Sequence, residues 1–427
     1  MSPPGSTPAP PQTPANEPGP AALYGRIVLL LLLLVALRAP MLDHPTPVDP
    51  DEISFIEGLG FPQQYPVHYP GYPLWVAMGT VLHMLVLDPY TALQIWSLAA
   101  SIAAPVLLYI GLRRLGSDSL AWWLAMGFGV NPLVWFEGTT ALSYMAGGTV
   151  GLLIVGLCYS ALRDRRATAL YGAAAILAVG ISLRADLLIY LGPMIAYTAW
   201  RFRWRSGLIA VAILACGAAG SFAWTAYLYG RADPAAVHPS LGHTFDVVLN
   251  TSVFRRGLRD GLARNLVKIG VNLGWDFGVA VLLLPPAVWR VFQRRSDWPR
   301  EVKVVLLLWV VPITAFLALM HVVQGYFVLL LAAGYCLLGL ALHSTLKSRI
   351  AAGIAAAIAI CSMVQFAAYP WSASSTGFKR LVDAKIAFLS ASGLQHIDRR
   401  ERINAPGDYW RTPAHDAADQ QRNPDAP

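Results

Sequence analysis

Apolar runs long enough to cross a bilayer recur along this chain from residue 24 to residue 369, and no other feature limits its fold so severely. A segment in hydrocarbon must satisfy its backbone N–H and C=O groups internally, so such spans are helices. Only 13% of the 427 residues are charged and 56% are hydrophobic, whereas a soluble domain carries roughly 25% charged residues. The chain is therefore read as an all-α polytopic membrane protein whose core is the helix bundle itself. Its formal net charge of +8 does not point to nucleic acid, because the basic residues sit in short clusters between apolar spans. Arginine outnumbers lysine 27 to 5 and alanine is abundant, which fits a high-GC bacterial gene and places the chain in a bacterial inner membrane. Cys158, Cys216, Cys336 and Cys361 all lie in apolar spans without metal-ligand spacing, so neither a zinc site nor a disulfide framework is expected.

One segment decides the threading. Residues 74–87, between Pro73 and Asp88-Pro89, are apolar but too short for a span of roughly 17–25 residues, so they are expected to lie at the interface or to be partly re-entrant. With a cytoplasmic N-terminus, spans then fall near 24–40, 91–112, 119–136, 142–162, 168–183, 187–200, 206–228, 269–289, 304–320, 326–342 and 350–369. Five basic turns then share the cytoplasmic side: Arg113-Arg114, Arg163/Arg165/Arg166, Arg201/Arg203/Arg205, Arg290/Arg294/Arg295/Arg300/Lys303 and Lys347/Arg349. Had 74–87 crossed, all five would lie outside. About eleven spans are expected over 23–369, with 41–90 and 229–268 as extracytoplasmic loops. Residues 1–22 form a Pro-, Ser- and Ala-rich cytoplasmic segment expected to be disordered. The Leu-rich run over 27–37 lacks a cleavage site and is read as an uncleaved anchor. Residues 370–427 form an outward tail, mostly disordered.

Three stretches stand out against this plan. Residues 41–90 carry six acids (Asp43, Asp49, Asp51, Glu52, Glu57, Asp88) and no Lys or Arg. Residues 229–268 are basic although outward. The apolar stretch 167–200 is broken by Arg184 and Asp186; as one helix it would run roughly 51 Å at about 1.5 Å per residue, too long for a bilayer. It is expected to fold as two short helices whose turn sits recessed below the outer surface.

These residues carry a pattern that resembles GT-C-fold glycosyltransferases of the polyprenyl-phosphate-sugar class, among them protein O-mannosyltransferases and the aminoarabinose transferase that modifies lipid A. Asp51-Glu52 stands where that family has an acidic motif in a large first outer loop. The run His68-Tyr69-Pro70-Gly71-Tyr72-Pro73-Leu74 is similar to its His-Pro-Pro segment opening a juxtamembrane helix, with Tyr69 replacing one proline. Asn131-Pro132-Leu133-Val134-Trp135-Phe136 resembles the end of a third span. Gly180-Ile181-Ser182-Leu183-Arg184-Ala185-Asp186 resembles a Gly-x-x-x-Arg-Pro-Asp turn, with Ala185 in place of proline. His321-Val322-Val323-Gln324-Gly325-Tyr326 resembles a late outer-loop motif. The similarity covers roughly residues 24–345. It implies a GT-C-like bundle with juxtamembrane helices, and transfer of a sugar from a polyprenyl-phosphate donor to an acceptor on the outer face, usually with inversion. Metal dependence varies within that fold, and no residue set here argues for a divalent metal or any other cofactor.

Such a transfer needs a base for the acceptor proton and fixed positive charge for the leaving phosphate. Asp51 is the expected base, with Glu52 next and Asp49 if the prolines shift the register. The plain alternative is that these acids cap a helix over 52–59. His68 either contacts the donor phosphate or is an interfacial histidine. Tyr72, with Tyr65, Tyr69 and Trp75, is read chiefly as a headgroup-level anchor. Arg255, Arg256 and Arg259 share helical spacing, and their forked guanidiniums suit a phosphate or anionic lipid headgroups. Arg184 with Asp186 is either a phosphate contact or an ion pair closing the hairpin. His321 and Gln324 are weaker substrate-binding candidates. The expected partners are a polyprenyl-phosphate-linked sugar, the lipid bilayer and an acceptor the sequence does not identify. A transporter or flippase would call for hydropathy repeats and mid-span charge, and neither is evident; a polymerase or ligase of lipid-linked glycans shares the multi-span plan.

Overall fold

A computed structural model describes residues 20–39, 50–60, 72–115, 117–231, 249, 252–293, 298–320 and 322–368. The first helix, α1 (Pro20–Arg38), lies against α4 (Pro89–Arg113) and α5 (Asp118–Gly129), with Leu30 and Leu34 fully buried between them. Near its start, Arg26 pairs with Asp118 at 2.6 Å, and Asp118 also accepts the Tyr109 hydroxyl at 2.6 Å. The beginning of α1 and the Arg113–Asp118 turn therefore share one end of the bundle. The other ends of α1 and α4 must lie at the opposite end. Between those two ends come α2 (Pro50–Gly60) and α3 (Pro73–Val86), so together they make no net crossing.

Local chemistry sets these boundaries. Helix α3 starts at Tyr72, held in the left-handed region (φ 41°), with Pro73 at its first position. It stops after fourteen residues at Leu87, also left-handed (φ 66°), whose N–H bonds back to the His83 carbonyl. Asp88 then caps α4 by accepting the Thr91 N–H at 2.7 Å. The span expected over 119–136 is instead broken: α5 stops at Gly129 and α6 (Pro132–Glu137) restarts from Asn131, whose side chain accepts the Leu133 N–H at 3.0 Å. Proline lacks an N–H and disfavours helix at the residue before it, so Asn131-Pro132 both ends one helix and caps the next.

Helices α7 (Tyr144–Asp164), α8 (Ala167–Leu183), α9 (Leu187–Trp200) and α10 (Trp204–Arg231) follow with tight turns. A four-residue turn, α11 (Val253–Arg256), precedes α12 (Leu258–Phe277), so helix begins well before the expected residue 269. A 3-10 segment (Gly278–Leu283) and α13 (Leu284–Phe292) continue it. The chain closes with α14 (Arg300–Leu319), a 3-10 turn (Gln324–Tyr326), α15 (Phe327–Thr345) and α16 (Ser348–Ala368). Among the described residues, eight helical stretches are long and apolar enough to span a bilayer, and α3, α8 and α9 are shorter apolar helices.

The basic turns collect at a single end. Arg165 donates to the Arg201 carbonyl at 3.4 Å, and Arg114, Arg163, Pro299 and His343 line a common cavity. At the opposite end a separate apolar cluster holds the juxtamembrane helices: Phe55 and Leu59 of α2 and Trp75 and Val76 of α3 pack on Tyr90, Leu93, Leu142, Ala146 and Leu183.

Candidate active site

The site is built around the loop joining α6 to α7, whose backbone groups are met by side chains from three helices. Gln94 donates to the Thr139 carbonyl (2.8 Å), Ser97 to that of Leu142 (2.8 Å), and Trp75 to that of Ala141 (3.2 Å). The Ala141 N–H donates to Glu52 Oε1 at 2.6 Å. A non-helical loop among apolar helices needs such partners for its peptide groups. Trp75 is thus fully buried, not a headgroup anchor. Glu52, also fully buried, is a tether between α2 and this loop.

The clamp fixes Ser143 and Tyr144, which face Arg184. Arg184 is 5% exposed and forks onto Asp186, with Nη2–Oδ2 at 2.8 Å and Nε–Oδ1 at 3.2 Å; Nη1 reaches Ser143 Oγ at 3.4 Å. Three aromatic rings surround its guanidinium carbon: Tyr144 at 4.0 Å, Tyr326 at 5.3 Å and Tyr72 at 5.9 Å, all within cation–π reach. Rings of Tyr190 and Phe316 back Tyr326 at 6.0 and 5.9 Å. Two glycines make this approach feasible. A Cβ on Gly147 would stand 2.7 Å from Arg184 Cδ, and one on Gly325 would run into the Tyr144 ring. Burial alone lowers the Arg184 pKa, but Asp186 reverses this, so the net shift is upward and the group stays cationic. Burial pushes the phenols of Tyr72 and Tyr326 up, so both remain neutral hydroxyls. Among the described residues, a cavity beside Arg184 measures about 10 Å³, room for about one water.

Asp51, half-buried in the first turn of α2, lies within electrostatic reach of Tyr72, Tyr144 and Tyr326. Asp51 and the Arg184–Asp186 pair, 133 residues apart in sequence at Asp51 and Arg184, therefore meet at one tyrosine cluster. Glu137, 3% exposed at the end of α6, is in electrostatic reach of Tyr144 as well.

The basic group is arranged differently from the expected single helix face. Gly257 (φ 84°) separates Arg255 and Arg256 in α11 from Arg259 in α12, so these three share no continuous helix. Only glycine takes that backbone conformation freely. Arg256 instead neighbours Arg264 and Lys268, one turn apart on α12. This patch sits at the same end as the tyrosine cluster, since Asn265 donates to the Ala318 carbonyl at 3.0 Å and Phe316 packs on Tyr326. Asp49, His68 and His321 lie outside the described residues, as does the side chain of Gln324. Among the described residues no three His, Cys, Asp or Glu gather as a metal site.

Sequence reasoning singled out neither Tyr144, Tyr326 and Glu137 nor Arg264 and Lys268 for the site. The first three are ordinary interfacial or core residues by type. The last two were legible as charges in an outer basic stretch, but not as helix neighbours.

This arrangement, juxtamembrane helices closing a buried polar turn at one end of a polytopic bundle, is a GT-C-like fold. A crystal structure of ArnT from Cupriavidus metallidurans bound to undecaprenyl phosphate is similar to it with a TM-score of 0.55 at 15% identity, covering 91% of this chain and 74% of that one. The apo form of the same protein gives 0.56 at 16% identity, with the same coverage. No protein-family profile and no curated protein matches the chain.

Proposed function

We propose that this chain is a membrane glycosyltransferase that moves a sugar from a polyprenyl-phosphate donor to an acceptor at the end of the bundle away from its basic turns. By the positive-inside rule that end is the extracytoplasmic face of a bacterial inner membrane, with the N-terminus cytoplasmic. One observation carries the reading: Asp51 and the Arg184–Asp186 pair converge on the same tyrosines, at that end, in a GT-C-like bundle. The similar ArnT structure holds undecaprenyl phosphate, which supports a lipid-phosphate donor here.

In this reading the acceptor hydroxyl attacks the anomeric carbon and its proton passes to Asp51. The new glycosidic C–O bond forms as the bond from the anomeric carbon to the phosphate oxygen breaks. The bonding pair leaves with the polyprenyl phosphate, and attack opposite the leaving group inverts the anomeric centre. Arg256, Arg264 and Lys268, joined by Arg255 and Arg259 from the same segment, supply the charge that meets the phosphate. Arg184 is already forked onto Asp186. Its role is to hold Tyr72, Tyr144 and Tyr326 as a wall for the donor.

The test is Asp51→Asn, assayed with a panel of undecaprenyl-phosphate sugars against membrane acceptors. Losing the base lowers the rate by about 10²–10⁴-fold, with protein level and thermal stability unchanged. Full activity in that variant ends the assignment.

A further inference from the structure

The basic end holds a cavity of about 500 Å³, far from the tyrosine cluster and not used by the mechanism above. Among its described lining residues Arg114, Arg163 and His343 stand against one carboxylate, that of Glu301, with Trp298 and Leu340 among its apolar walls. A further cation stands at its edge, because Arg290 reaches the lining Ser344 hydroxyl at 3.4 Å. Cations at helix C-termini often do no more than neutralise the last carbonyls. Arg165 does this, donating to the Arg201 carbonyl. Arg114 and Arg163 instead rim an open space; Arg163 stands over the Tyr159 ring at 6.0 Å, and its Nε lies 3.9 Å from Asp164 Oδ1, a loose exposed pair that leaves its outer N–H groups to the cavity.

We propose that this cavity binds a phosphate-bearing anion, held by the guanidiniums of Arg114 and Arg163 with His343. The forked N–H groups of arginine match phosphate oxygens, and the excess of cations over carboxylates among the described lining residues selects against neutral or cationic ligands. The half-apolar walls and the position at helix ends, at headgroup level, point to the phosphodiester headgroup of an anionic lipid. A soluble glycerol phosphate carries the same chemistry.

The experiment uses the full-length protein, delipidated in neutral detergent, and reads its thermal unfolding midpoint. Phosphatidylglycerol, phosphatidylcholine and glycerol 3-phosphate are added separately. A ligand of the native state raises the midpoint in a concentration-dependent way. Phosphatidylglycerol is expected to raise it and phosphatidylcholine not to. The rise should vanish in Arg114→Gln/Arg163→Gln and persist in Arg203→Gln, an exposed position that does not line the cavity. If the double variant fails to fold, Arg163→Gln and His343→Asn, both at exposed positions, must each shrink the shift. A rise with glycerol 3-phosphate but not with the lipid assigns the same site to a soluble phosphate ester. Equal responses to the two lipids, no response to either phosphate compound, or a full shift in the cavity variants each overturn the proposal.

Discussion

At the level of single residues, adjacent carboxylates have been given unlike work. Asp51, half-buried, lies within electrostatic reach of the tyrosines, whereas Glu52 is fully buried and receives the Ala141 N–H. Sequence alone put both in the first outer loop and ranked Asp51 first as base, but it had no means of assigning Glu52. The partner of Glu52 is a peptide group 89 residues away, and the packing of α2 decides which acid meets it. This gives a discriminating pair of variants. Glu52→Ala strands a buried N–H and should cost about 1–3 kcal/mol, read as a lower midpoint of thermal unfolding. Glu52→Gln keeps a carbonyl acceptor, so both stability and transfer should stay near the parent. A Glu52→Gln protein that is fully stable yet inactive would make Glu52 the base instead.

At the level of elements, the periodicity and length of the apolar runs made most helices legible, including the short α3 and the pair α8 and α9. What escaped was set by backbone chemistry at single positions. Asn131-Pro132 cuts one expected span into two helices, and Gly257 splits the arginine triplet that spacing had placed on one face. The buried role of Trp75 was hidden for a similar reason, since an aromatic beside a proline turn reads as an interface anchor until its N–H is seen to meet the Ala141 carbonyl. The 3-10 turn Gln324–Tyr326 gives the sharpest test at this scale. Its Gly325 has no space for a methyl group against Tyr144. Gly325→Ala should therefore cost about 1–3 kcal/mol, as overpacking does, and should depress transfer by displacing Tyr326. Normal stability and activity in this variant would show that the turn does not shape the site.

For the whole molecule, the decisive contact is Arg26 with Asp118. It ties the start of α1 to the Arg113–Asp118 turn, and with it every helix end that shares that face. The sequence reached its threading from the shortness of 74–87 together with the side on which the basic turns then fall. In a cysteine-free background, single cysteines at positions 24 and 114 should react with a membrane-impermeant thiol reagent only from the cytoplasmic side. A cysteine at position 54, on α2, should react only from outside. Labelling of 24 and 114 from opposite sides would break the arrangement on which the site depends.

The enclosure of Arg184 has a consequence for how the enzyme should respond to ionic strength. A largely buried cation held against its own counterion among rings is little touched by mobile ions, while exposed charges fade once their separation exceeds a Debye length of about 8 Å at 0.15 M. Raising sodium chloride should thus weaken the grip of the Arg256–Lys268 patch on a phosphate donor, seen as a climbing KM, and leave the hairpin and the melting temperature nearly unmoved. A melting temperature that fell in step with rising KM would mean that the pair feels the solvent after all.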